Sequence, residues 1–224
     1  ETAVIRRALW VDLNGMANRA KDADVDFFDR AARQRRRAFI SSETVVTEVS
    51  LNAEMQVMET PPVSGQLGDP PPRFRRELEV NEFSLHKEGI GFECRNLACD
   101  VVLPFRGQLE FVQQAIDSIL GQAGIAVTLH LIDDDTQQDI DGWLRQFLGD
   151  DRIRVYRNSK NIGQFLSFNN AAEFFETEWA VTQDGDDVSL PGRLAETVRI
   201  AKLCNADLVG AATVLQGPIE GLKR

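Results

Sequence analysis

Apolar positions along the second half of the chain recur in short blocks whose period alternates. Residues 101–104 form a compact apolar run, and residues 109–120 then place Phe111, Val112, Ala115, Ile116 and Ile119 at helical spacing. Residues 127–132 read as a second buried-type strand and 140–148 as a helix, and 153–156 as a third strand followed by a helical segment over 164–175. A fourth strand over 179–182, a helix over 191–203 and a fifth strand over 206–214 complete the series. Strands alternating with helices at these lengths predict an α/β layer fold with a mostly parallel sheet flanked by helices. The first half is patterned differently. Residues 2–38 read as helical: Asp24 is placed to cap a segment carrying Val25, Phe28, Ala31 and Ala32, which closes on the basic run Arg33-Gln34-Arg35-Arg36-Arg37. Residues 44–58 alternate in part like a strand, through Val45, Thr47, Val49 and Leu51.

Five of the eight prolines fall between Thr60 and Pro72, together with Gly65 and Gly68, which rules out regular structure there. The expected organisation is a small, mainly helical appendage over 1–59, a Pro-rich linker or strap over 60–96, and the α/β domain over 97–224.

Charge narrows the function. The formal net charge is -10, and residues 76–224 carry all of the excess, with 24 Asp/Glu against 14 Lys/Arg. An acidic surface disfavours nucleic acid, whose phosphates need cationic neutralisation. No apolar run approaches the roughly 20 residues that span a bilayer. Cys94, Cys99 and Cys204 have no metal-ligand spacing, and with only His86 and His130 beside them no zinc site is expected. Unpaired thiols point to a reducing, cytoplasmic setting.

The strand ends hold the candidate chemistry. Ligands of parallel sheets bind outside the carboxyl ends of strands. The first strand runs into Pro104-Phe105-Arg106, the second into Asp133-Asp134-Asp135, the third towards Asn158 to Gly163, and the fourth into Gln183-Asp184-Gly185-Asp186-Asp187. Two acidic clusters and a glycine-bearing loop therefore face one crevice. Like charges resist such crowding unless a cation joins them, and hard carboxylate oxygens suit Mn²⁺ or Mg²⁺. A solvated acidic turn is the competing reading of the second cluster taken alone.

Five stretches in this order resemble the family-2 inverting glycosyltransferases of the GT-A fold. They are Pro104 with its following turn; Ser118-Ile119-Leu120-Gly121-Gln122 followed by Asp133-Asp134-Asp135-Thr136; Asp150 to Val155 with Arg157-Asn158; Asn161-Ile162-Gly163 with Asn169-Asn170-Ala171; and Asp184-Gly185-Asp186-Asp187 with Pro191, Arg193 and Leu194. The likeness covers residues 98–215. It implies a GT-A-like, Rossmann-type sheet binding a nucleotide-sugar donor, with UDP as the nucleotide. The donor would contact Pro104, Phe105, Arg106, Asp134, Asn161, Gly163 and Asp184, and Asp184 and Asp186 would hold the Mn²⁺ or Mg²⁺. Asp134 would accept a hydrogen bond from the base, and Asp184 would lie near the ribose and the metal. The chain departs from the pattern at Gly107, where the family often has Asn, at Ser167 and Phe168, where it has Ala-Arg, and at Gln164 and Phe165, where small residues are common.

The resemblance also implies a general base in the later half of the family's sequence. No carboxylate here has positional support for that role, Glu220 included. The chain is expected to be the donor-binding part of a longer glycosyltransferase, with its acceptor (glycan, lipid or protein) unassigned. The alternatives are a non-catalytic nucleotide-binding or scaffolding module of the same ancestry, and a nucleotidyltransferase.

Overall fold

The structure is a computed structural model that describes residues 3–16, 27, 30, 31, 33, 34, 38–42, 45–49, 80–83 and 96–211. In chain order the elements are β1 (Ala3–Arg6), α1 (Arg7–Asp12), β2 (Ala38–Ser42), β3 (Val45–Val49), β4 (Val80–Phe83), β5 (Ala98–Phe105), α2 (Leu109–Leu120), β6 (Ala126–Asp133), α3 (Asp141–Arg145), β7 (Ile153–Arg157), α4 (Gln164–Ala172), β8 (Trp179–Thr182), α5 (Arg193–Leu203) and β9 (Leu208–Ala211). The strands lie in one sheet in the order β4-β3-β2-β9-β1-β8-β5-β6-β7.

The block β8-β5-β6-β7 is parallel throughout, with Val101 beside Val181 on one flank and beside Leu129 on the other. Its centre is buried on both faces, which is why β5 and β8 read as continuous apolar runs rather than alternating ones. On one face, α2 and α5 cover Val101, Leu103, Leu129, Leu131 and Val181; on the other, α1 and α4 cover Ile5, Val102, Ile132 and Ala180. Helix α2 buries Val112, Ala115, Ile116 and Ile119. Phe111, which the sequence pattern put on the same stripe, is exposed instead, at the outer edge of that stripe beyond Ala115.

The amino-terminal stretch departs from the helical expectation. Ala3-Val4-Ile5 is short, apolar and partly β-branched, which suits a strand that is buried on both faces. It forms β1, antiparallel to β8 and to β9, with Val4 paired to Val181 and to Val209. Strand β1 therefore separates β8 from β9 and interrupts the run of parallel strands. Arg6 secures it. Its guanidinium donates to the Ala206 carbonyl at 2.8 Å and covers the Trp179 ring, 5.1 Å from the centroid. Residues 27, 30, 31 and 33 are helical as expected, and Arg30 donates to the Leu13 and Gly15 carbonyls.

Helix α1 docks on α4 through Trp10, which meets Phe168 edge-on at a centroid distance of 6.4 Å. Asn169 adds two bonds to Met16, accepting from its N–H at 2.8 Å and donating to its carbonyl at 2.7 Å. Phe168, which stands where the family has Arg, is thus a core residue under the amino-terminal helix. Of the 44–58 stretch with strand-like alternation, residues 45–49 form β3 and the others lie outside the described residues. The remaining residues of the expected linker, 60–79 and 84–95, lie outside the described residues, as do Cys94, His86 and Glu220. Cys99 and Cys204 are free thiols, and no described helix is long and apolar enough to cross a membrane.

At the amino-terminal end of the sheet, away from the strand exits, Asp100 is fully buried. Its Oδ1 accepts from His130 Nε2 at 2.8 Å, and its Oδ2 accepts from the N–H and hydroxyl of Thr177 at 2.8 and 2.7 Å. The other imidazole nitrogen lies 3.2 Å from the Tyr156 hydroxyl. This group ties the connection between α4 and β8 to the two central strands. Burial pushes the Asp100 carboxyl up, but the hydrogen bonds from His130 and Thr177 outweigh it and hold it below the usual 3.8. Its contribution to stability is therefore complete above that ordinary value and is lost as the pH falls through the lowered one. Replacing Asp100 by Ala is expected to cost about 3 kcal/mol, because a buried acceptor shared by several donors disappears. Urea unfolding at pH 7 and at pH 3.5 measures this, and the gap between wild type and variant narrows at the lower pH.

Candidate functional site

The exits of β6, β5 and β8 are neighbours, and the backbone at Phe105 joins them. Asp134 N–H donates to the Phe105 carbonyl at 2.8 Å, so the first acidic cluster starts on one side of that residue. On the other side, Gln183 N–H donates to the Val102 carbonyl at 3.0 Å and carries β8 into the second cluster. Gly185 sits against Phe105 itself. A Cβ built on it lies 3.4 Å from Phe105 Cβ and from Val112 Cγ2, and 3.7 Å from the Pro104 carbonyl. Asp134 and the Asp184–Asp187 turn thus flank one side chain on one rim. Phe105 is in turn fixed by Trp143, edge-on at 5.5 Å.

Two carboxylates of the first cluster, Asp133 and Asp134, already have work. Asp133 is buried, accepting from Thr136 N–H at 2.8 Å and from Arg157 Nε at 2.8 Å. Arg157 also reaches Asp141 at 2.8 Å, which links β7 to α3. Asp134 accepts three bonds. Its Oδ1 takes Asn158 Nδ2 and Ile162 N–H, both at 2.9 Å, and its Oδ2 takes Gly163 N–H at 2.8 Å. The carboxylate therefore holds the loop that leads into α4. A carboxylate oxygen has about two acceptor positions, so Oδ2 keeps one for a further donor. Asn161 side-chain oxygen accepts from the same Gly163 N–H at 3.0 Å.

The β5 exit is shaped by the β6 exit. Gly107 N–H donates to Thr136 Oγ1 at 2.8 Å, and Arg106, exposed at the rim, donates through Nε to the Asp135 carbonyl at 3.3 Å. Gly107, Gln108 and Asp135 all have positive φ, of 70°, 51° and 64°. Side chains rarely adopt that region, so glycine at 107 is explained by the turn, whatever residue relatives carry there.

The second cluster differs from the first. Asp184 is half-buried. Burial raises its carboxyl above the usual value, and the neighbouring charges of Asp187 and Asp186 raise it further. Asp186 is exposed, and its carboxylate makes no hydrogen bond or ion pair among the described residues. Two crowded carboxylates, one open to solvent, suit a hard divalent cation that takes its remaining ligands from phosphate oxygens and water. Among the described residues no three His, Cys, Asp or Glu side chains already converge as a cage.

The sequence profile described as "Glycosyl transferase family 2" matches residues 100–222, more than half of the 224-residue chain. The chain belongs to this family. Among solved structures, this family-2 chain is similar to S. aureus TarS 1-349 in complex with UDP-GlcNAc, at 15% identity and a TM-score of 0.43, covering 48% of this chain and 32% of that one. It is also similar to the mannosyltransferase PcManGT from Pyrobaculum calidifontis in complex with GDP-Man and Mn²⁺, at 14% identity and a TM-score of 0.42, covering 48% and 33%. The family-2 chain spans about a third of the length of these structures.

Of the residues singled out in the family-2 sequence, Pro104, Phe105, Asp134, Asn161, Gly163 and Asp184 lie on the rim around Phe105, with Arg106 and Asp186 exposed at its edge. Sequence reasoning assigned no role to Gln183, whose bonds run within its own loop, or to Trp143, whose contact with Phe105 is long-range, whereas Thr136 carried a signal within the Asp133–Thr136 stretch. Asn158 carried a signal, since it stands within the Arg157-Asn158 resemblance. Gly163 has φ 83° and ψ 158°, a conformation open essentially to glycine alone. Replacing it by Ala is expected to cost about 1–3 kcal/mol in denaturant unfolding, since the Asp134 clasp resists relaxation of the turn.

Proposed function

We propose that this chain is the donor-binding part of a glycosyltransferase that takes its sugar from a nucleoside diphosphate donor and uses Mn²⁺ or Mg²⁺. The observation that carries this reading is the pairing of two unlike acidic clusters across Phe105 on one rim, in a chain of family 2. In one cluster Asp134 is committed to shaping a loop, and the other is crowded and partly open.

Their difference assigns their work. Asp134 holds the Asn161–Gly163 loop beside Phe105, and its remaining acceptor position suits a base N–H, as uracil provides. Main chain at Pro104 and Phe105 would frame that base, with Asn161, Gly163 and the exposed Arg106 at its border. Asp184 and Asp186 would hold the cation. When bound, the cation supplies positive charge to the diphosphate as it leaves. In the transfer the bond from the sugar's anomeric carbon to the diphosphate oxygen breaks. A bond from the same carbon to an acceptor oxygen forms, and the acceptor proton passes to a general base.

Calorimetric titration of UDP with and without Mn²⁺ tests the reading. Wild type is expected to bind UDP at least tenfold more tightly with the ion, and Asp186→Ala to lose that difference. The matching loss in rate for a complete enzyme is on the order of 10²–10⁴. Tight UDP binding that ignores both the metal and Asp186→Ala would contradict the assignment.

A further inference from the structure

The turn that carries Asp184 and Asp186 is built around a side-chain amide. Gln183 is fully buried, and each polar atom of its side chain is used. Its Nε2 donates to the Asp187 carbonyl at 2.8 Å and to the Asp184 carbonyl at 3.2 Å. Its Oε1 accepts from the Ser189 hydroxyl at 2.9 Å and from Arg193 Nη1 at 2.6 Å. Donating on one side and accepting on the other is what an amide does and a carboxylate does not. The amide draws two main-chain carbonyls of the turn inward, and Asp186 between them is left exposed.

The far end of the same loop is held from α2. Ser118 Oγ accepts from Ser189 N–H at 3.0 Å. Gln122 Nε2 donates to the Leu190 carbonyl at 3.0 Å, while its Oε1 accepts from Leu194 N–H at 3.2 Å. Ser118 and Gln122 belong to one motif singled out in the sequence, and Arg193 and Leu194 to another. Arg193 and Leu194 share their motif with Asp184 and Asp186, but their own bonds, like those of Ser118 and Gln122, run within the loop and its anchors.

We infer that Gln183 and Gln122 are positioning residues that clamp the two ends of the acidic loop, so that its carboxylates are presented to a cation in one arrangement. Gln183 is inaccessible to donor and cation alike, and it acts through the loop backbone. Arg193 is the seat of the clamp: its guanidinium is buried far enough that Nε has no partner, and its Nη1 fixes the orientation of the Gln183 amide. The inference rests on Asp184 and Asp186 being the ligands of the cation.

The test is Gln183→Glu, which keeps the shape and the acceptor facing Arg193 while turning the donor into an acceptor aimed at two carbonyls. Mn²⁺ binding in the presence of UDP is read by electron paramagnetic resonance, with UDP binding without metal and the melting temperature as companions. Gln183→Glu is expected to melt within a few degrees of wild type, to bind Mn²⁺ at least tenfold more weakly, and to bind metal-free UDP as before. Gln122→Ala, altered at a partly exposed position, is expected to weaken Mn²⁺ several-fold, and it decides the matter alone if the first variant does not fold. Wild-type Mn²⁺ affinity in the folded variants, with Asp186→Ala abolishing it, overturns the clamp and leaves the donor reading standing. A wild type that binds no Mn²⁺ with UDP overturns the donor reading and the clamp together.

Discussion

Crowding of like charge at one rim is the constraint around which this structure is arranged. Asp133, Asp134, Asp184, Asp186 and Asp187 all follow directly from strands whose ends are neighbours in the sheet. Aspartates so close oppose one another's ionisation unless each finds compensation. Asp133 finds it in Arg157, and Asp134 in two backbone N–H groups and the Asn158 amide. Asp184 is the member whose carboxyl is pushed up by burial and by its neighbours. The fold thus pairs Asp133 and Asp134 internally and leaves Asp186 exposed.

That division gives the two sides of Phe105 different mechanical characters. On the β6 side the carboxylates are structural acceptors, and the loop they hold ends in a glycine that its backbone angles require. On the β8 side main-chain carbonyls are held instead, by an amide, and Asp186 is left exposed. Trp143 behind Phe105 keeps the two sides in register.

Much of this was legible in the residues. The parallel block β8-β5-β6-β7 followed from four short apolar runs separated by helical periods, and the placing of the acidic clusters at strand ends followed from that order. The resemblance over residues 98–215 agreed with the match to family 2 over 100–222. What escaped was long-range. Ala3 to Arg6 is too short to show a period of two, and its strand state comes from pairing with β8 and β9, some 175–205 residues away. Phe168 looked like a departure from the family's Arg. Its reason is Trp10, from a segment that sequence reading could not dock. Gln183 reads as an ordinary polar residue after a strand, and only the fold shows its amide bonded on both sides.

The most direct measurement is a crystal structure grown with Mn²⁺ and UDP, with the ion located by its anomalous scattering. The account expects a single strong peak at Asp186 and Asp184, shared with the diphosphate, and the base beside Phe105 within reach of Asp134. A peak elsewhere on the molecule, or a diphosphate bound with no ion between it and Asp186, would contradict it.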